Sequence, residues 1–227
     1  MKNINDKYII GISFGSHDSA VALIQNGEVL NAVEEERFTG IKHDNSFPIN
    51  SINWILKNNN IGGKDISAVC YYENPKLKYD RDWKSYWKYF WKNPFKFPKK
   101  TNPLEHFDYI FPNAKVFIGN HHLSHLAYSY FTSDFDESAI LSVDGVGEWD
   151  TTVLASGKDN IIKRHSEVVY PHSLGLLYST ITAFLGFKPN EGEYKVMGLA
   201  PYGTHLFHHK KFDELIKETE DGFELNM

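Results

Sequence analysis

The runs Y-I-I-G-I-S-F-G (8–15), H-D-S-A-V-A-L-I-Q (17–25), N-G (26–27) and E-V-L-N-A-V (28–33) decide the fold. Short β-rich segments separated by Gly15 and by Asn26-Gly27 predict a meander of strands, and Asn-Gly is a strong hairpin signal. From residue 140 the pattern returns: I-L-S-V-D, a glycine turn, W-D-T-T-V-L-A-S, then G-K-D-N and I-I. Asp18 matches Asp150, Val21 matches Val153 and Gly15 matches Gly147, while the first strands align after a slip of one residue. Any two hairpins look alike at this level. The repeat gains force because two strand–Gly–strand–turn–strand units occur, the first of them followed by helices. Together they predict a duplicated α/β fold. Such folds bind phosphates in the cleft between their halves, cradled by glycine turns.

Outward from the first meander, Pro48 opens a helical pattern in which Ile52, Ile55 and Leu56 share one face, and Gly62-Gly63 is expected to end it. Ile66 to Tyr72 reads as a strand, a helix is expected after Pro103, Ala114 to Ile118 reads as a strand, and a helix begins near His121. The expected organisation is a first lobe over 1–138 and the start of a second, incomplete lobe over 139–227.

The composition, 41% hydrophobic and 23% charged over 227 residues, excludes disorder and suits one large or two small domains. The net charge of −5 argues against a general nucleic-acid binder. A lone Cys70 excludes an internal disulfide and a cysteine-rich metal site, and fits a reducing, cytoplasmic setting. No apolar run approaches the ~18 residues of a membrane helix. Gly11, Ser13 and Gly15 interrupt the early apolar stretch, so no secretory signal is expected.

Residues 76–100 carry nine Lys or Arg against two Asp, so this stretch is +7 and the remainder −12. Trp83, Tyr86, Trp87 and Phe90 follow helical spacing, with Lys84, Lys88 and Lys92 on another face. An amphipathic surface helix with packed aromatics is the favoured reading. A lid over an anionic substrate or a nucleic-acid contact is the sharper one.

Gly11-Ile12-Ser13-Phe14-Gly15 fits the G-x-S-x-G pattern of serine hydrolases. That elbow needs a helix after it, and here a strand is expected, so Ser13 is discounted as a nucleophile. N-H-H-L-S-H (120–125) is the better constellation. His121 and His125, four apart on a helix, face one way and can share a metal. A zinc-protease motif would need Glu at position 122, where His122 stands, which argues against proteolysis. Asp144, at an expected strand end in S-V-D-G-V-G-E, can complete a mixed N and O site suited to a divalent transition metal. In N-E-G-E-Y-K-V-M-G-L-A-P-Y-G (190–203), glycines bracket Lys195, which could pair with phosphate or simply be solvated.

These segments in order, with E-E-R-F-T-G-I-K-H-D and S-L-G-L-L-Y-S, resemble the NodU/CmcH-type carbamoyltransferase family. The resemblance implies a fold of the actin/Hsp70/sugar-kinase (RNase H-like) ATPase type. It implies transfer of a carbamoyl group from carbamoyl phosphate to a hydroxyl of a sugar-containing or antibiotic product. ATP, as co-substrate, first gives carbamoyl adenylate in a separate YrdC-like domain, and the ATPase-like domain then transfers the group at an iron (Fe2+) site. By the family pattern His121, His125 and Asp144 would be metal ligands. His17, Lys42 and the Gly145–Gly147 loop would lie near the adenylate, as would Lys195 and Gly198. His17 could also take the acceptor's proton, since an unperturbed imidazole pKa of ~6.5 suits that task; a turn residue bonded to backbone is the alternative. The chain stops at Met227, whereas the family's domain continues and supplies another ligand. A fragment or split-gene piece is therefore expected, needing the YrdC-like domain in cis or in trans. The alternatives are a subunit without catalysis of its own and a relative of the tRNA threonylcarbamoyltransferases.

Overall fold

Alternating burial builds the first sheet. In the computed structural model, β1 (Tyr8–Ser13), β2 (Ala20–Gln25) and β3 (Glu28–Glu34) form an antiparallel meander. Ile10, Ile12, Val21 and Leu23 are buried, and their sequence neighbours are less so. Asn26 and Gly27 both hold positive φ (53° and 86°), as a two-residue I′-type turn requires. The structure describes residues 7–16, 18–89, 97–98, 102–204 and 213–227. The chain divides into two compact units, Met1–Asn120 and His121–Met227.

In the first unit the meander is followed by α1 (Glu36–Thr39) and α2 (Ile49–Asn58). Then come β4 (Ile66–Tyr71) and α3 (Pro75–Tyr89). A 3-10 turn at Pro103–His106 leads into the one-turn α4 (Phe107–Ile110), and β5 (Lys115–Ile118) closes the sheet. The strand order is β3-β2-β1-β4-β5, with β4 parallel to β1 and β5 parallel to β4. β1, β3, β4 and β5 therefore all end at the same edge. α2 buries Ile52 and Ile55, which join Ile10, Leu23, Val69, Phe107 and Phe111 in one core.

The first unit departs from the sequence reading at two places. α2 stops at Asn58, before Gly62-Gly63, because Asn60 takes the left-handed turn itself (φ 53°). The helix after Pro103 is a 3-10 turn plus a single α turn. On α3, Trp83 and Trp87 stack with ring centroids 6.0 Å apart, and Phe97 lies 5.4 Å from Tyr86. Trp87 remains exposed, whereas Tyr86 is buried. Phe90 and Lys92 fall outside the described residues.

The second unit opens with α5 (His121–Phe131), then β6 (Glu137–Val143), β7 (Asp150–Lys158) and β8 (Ile161–Val169). These strands form a second antiparallel meander, in the order β6-β7-β8. Leu126 and Tyr130 of α5 pack on Ile140, Val153 and Ala155. A Cβ at Gly157 would stand 2.6 Å from the Tyr130 ring, so the close approach of helix to sheet requires glycine there. α6 (Leu174–Phe184), α7 (Glu193–Leu199) and the hairpin β9 (Ile216–Thr219)–β10 (Gly222–Leu225) follow. The architecture is mixed α/β. Among the described residues no helix is long and apolar enough to cross a membrane.

Candidate metal centre

The connection from β6 to β7 and the first turns of α5 make the site. β6 ends at Val143 and delivers Asp144 into a short loop, closed by Asp144 N donating to Thr151 O (2.9 Å) and Gly147 N to Asp150 O (2.9 Å). α5 presents His121 and His125 one turn apart. His121 Nε2 lies 2.6 Å from Asp144 Oδ2, and His125 Nε2 lies 3.5 Å from the same oxygen. The two Nε2 atoms are 3.1 Å apart. One donor atom from each residue falls within a 4.8 Å cluster. Hydrogen bonds from His121 and His125 hold the Asp144 carboxyl well below the usual carboxylate range, outweighing burial.

This donor set fits a divalent transition metal. Protons on both Nε2 atoms would meet across 3.1 Å, whereas a cation takes a lone pair from each imidazole and one from the carboxylate. His125 is about half exposed and Asp144 about one third, so one side stays open to a water or a substrate oxygen.

Several buried groups hold the trio in place. Both carboxylate oxygens of Glu148, itself buried, accept from His121 N at 3.1 Å. His122 turns inward: its Nε2 donates to Asp150 O (2.9 Å) and its Nδ1 accepts from Ser142 Oγ (2.9 Å). Burial pushes its pKa down, which keeps the ring neutral. Ser173 caps α6 by accepting from Leu176 N (3.0 Å) and donates to Gly145 O (2.6 Å). A Cβ at Gly175 would stand 2.7 Å from Asp144 O, so the S-L-G motif lets the α6 N-terminus press on the backbone of Asp144. Sequence reasoning missed Glu148, Ser173 and Gly175. Their signal was present in D-G-V-G-E and S-L-G, but their partners are tertiary.

The structure brings His121, His125 and Asp144 together, with Gly145 and Gly147 in the same loop as the aspartate. Lys195 and Gly198 lie on α7; Lys195 Nζ sits 5.8 Å from the Tyr194 ring centroid and 6.0 Å from that of Phe187. Lys42 is exposed in the loop between α1 and α2 of the first unit. Beside it, His43 Nδ1 lies 2.9 Å from Asp18 Oδ1, and both residues hold positive φ. His17 lies outside the described residues. Ser13 sits at the end of β1 and is followed by a loop and a strand, which is not a nucleophile elbow.

Fold and site thus define a mixed α/β chain whose candidate centre joins a helical His pair to a strand-end aspartate. Residues 8–227 match the family described as Carbamoyltransferase N-terminus, and the chain belongs to that family. It is 41% identical to the uncharacterized protein sll1178 of Synechocystis sp., over 97% of this chain and 39% of that protein. It is 32% identical to the nodulation protein NolNO of Sinorhizobium fredii, over 91% of this chain and 31% of that protein. The chain thus spans well under half the length of these relatives. Among solved structures, YeaZ from Pseudomonas aeruginosa matches with a TM-score of 0.39 at 11% identity, over 73% of this chain and 67% of that one. The Aquifex aeolicus Ppx/GppA phosphatase matches with a TM-score of 0.35 at 13% identity, over 87% of this chain and 64% of that one.

Proposed function

We propose that this chain forms part of an O-carbamoyltransferase, which moves a carbamoyl group from carbamoyl phosphate, by way of carbamoyl adenylate, to a hydroxyl of a sugar or natural product. The convergence of His121, His125 and Asp144 in a member of the carbamoyltransferase family carries the reading. In this proposal the trio holds a divalent cation, iron by family resemblance. When bound, that cation supplies Lewis-acid polarisation worth several kcal/mol.

The chain's own residues bind and orient. Gly145 and Gly147 follow Asp144 in the same loop, and the motif resemblance supports placing that loop near the adenylate. Lys195 and Gly198 are proposed as further nucleotide contacts of the second unit. For the first unit, the motif resemblance supports Lys42 as a nucleotide contact and His17 as proton acceptor. The two meanders, Tyr8–Glu34 and Glu137–Val169, support a duplicated fold of the actin/Hsp70/sugar-kinase type. A YrdC-like domain, in cis or in trans, is the proposed source of the adenylate.

The test is elemental analysis of the purified protein and of His121→Ala and His125→Ala. Both variants are expected to lose most bound transition metal. Unchanged content in both would sink the assignment.

A further inference from the structure

We infer that Glu148 is a positioning residue for the cation site: its buried carboxylate fixes the first turn of α5 so that His121 and His125 face Asp144. The inference rests on the cation reading above. Three observations carry it.

First, Glu148 is 2% exposed, and both of its oxygens accept from the backbone N–H of the ligand residue His121 (3.1 Å each). A buried carboxylate is costly unless it is hydrogen-bonded. Here the hydrogen bonds fall on the N-terminus of α5, where the N–H groups lack partners within the helix and the macrodipole favours negative charge.

Second, Glu148 and Asp144 lie on the same short β6–β7 connection. One loop therefore supplies both a metal-facing oxygen and the clamp on the helix that carries the other two donors. A shift of the clamp moves the imidazoles relative to Asp144.

Third, the neighbouring contacts leave little slack. Gly147 lies between the two acids, and a Cβ there would stand 2.9 Å from His121 Cβ and 3.0 Å from His122 Cδ2. The next helical residue, His122, is tied to Ser142 and to Asp150 O, which flank the same connection. Groups that orient metal ligands typically govern ~10–100-fold of metal affinity.

The experiment titrates Co(II) into the full chain and reads dissociation constant and visible d–d absorption for wild type, Glu148→Ala and Glu148→Gln. Glu148→Ala is expected to bind ~10–100-fold more weakly, with a changed spectrum at saturation. Glu148→Gln keeps an oxygen acceptor for His121 N and is expected to stay close to wild type in both readouts. Should the alanine variant fail to fold, Glu148→Asp withdraws the oxygens from His121 N and is expected to show the same weakening. Melting of the metal-free chains separates general destabilisation from loss of positioning, since destabilisation alone leaves the saturated spectrum unchanged. An unchanged affinity and spectrum in Glu148→Ala, or Glu148→Gln as weak as Glu148→Ala, overturns the positioning role and leaves the cation site standing. No Co(II) binding by wild type overturns the cation site, and this inference with it.

Discussion

Gly147 leaves no room for a side chain against His121: a Cβ built on it would stand 2.9 Å from His121 Cβ and 3.0 Å from Cγ. The contact falls on the first residue of α5, so relief requires either the helix or the β6–β7 connection to shift. Gly147→Ala is expected to cost about 1–3 kcal/mol, the range for overpacking a closed contact. Denaturant unfolding measures it. A variant as stable as wild type would show that the loop yields without moving the helix.

His122 gives the second unit a pH dependence of known sign. Burial depresses its folded pKa, and its Nε2–H donates to Asp150 O. In the unfolded chain the imidazole titrates near ~6.5. Above that value neither state binds the proton, and the contribution of His122 is complete. As pH falls below it, the unfolded state takes up a proton that the folded state refuses. Stability then declines by up to ~1.4 kcal/mol per pH unit until the folded pKa is reached. Unfolding free energies of the chelator-treated protein at pH 7.5, 6.5 and 5.5 should show a slope that is smaller in His122→Gln. Equal slopes in both proteins would contradict the assignment.

Glu35 plays the matching structural part in the first unit. It is 1% exposed, and its oxygens accept from Asn50 N, Asn50 Nδ2, Ser51 N and Ser51 Oγ at 2.6–3.1 Å. These bonds pin the start of α2 to the end of β3. Glu35→Ala strands four donors, two of them on Ser51, which is fully buried. The expected loss is about 2–4 kcal/mol, read by denaturant melts, with α1 and the loop after it, residues 36–46, losing hydrogen-exchange protection first.

The meander of the first unit was legible because its cues are local. Asn26-Gly27 needs two positive φ angles, and Ile10, Ile12, Val21 and Leu23 alternate with period two. His121, His125 and Asp144 were legible for a similar reason, since spacing of four on a helix and an acid at a strand end are both sequence-local. Where local cues compete, they mislead: Asn60 takes the left-handed turn expected of Gly62-Gly63. Glu148, Ser173 and Gly175 were not legible as parts of the centre. Their roles depend on how α5 and α6 meet one loop, and no periodicity encodes that meeting. The hairpin β9–β10 turns through Glu220-Asp221, a pair without the Asn-Gly signal that marks the first meander.

The donor set also predicts which cations stabilise the chain. Two imidazoles and one carboxylate favour borderline metals over hard ones, because Mg2+ and Ca2+ seek all-oxygen shells. Co(II), Fe(II), Mn(II) or Zn(II) should therefore raise the unfolding free energy, and equal concentrations of Mg2+ or Ca2+ should not. Binding only to the folded state adds about 2.7 kcal/mol at a hundred times the dissociation constant, which a thermal melt reads as a concentration-dependent rise. Asp144→Asn removes the negative charge, and one of the two carboxylate oxygens, beside both Nε2 atoms. It should abolish most of the rise, whatever it does to the metal-free melt. A shift that is the same for Asp144→Asn and wild type would place the responsible cation elsewhere on the chain, and a shift produced equally by Mg2+ would remove the chemical basis for assigning it to the two histidines.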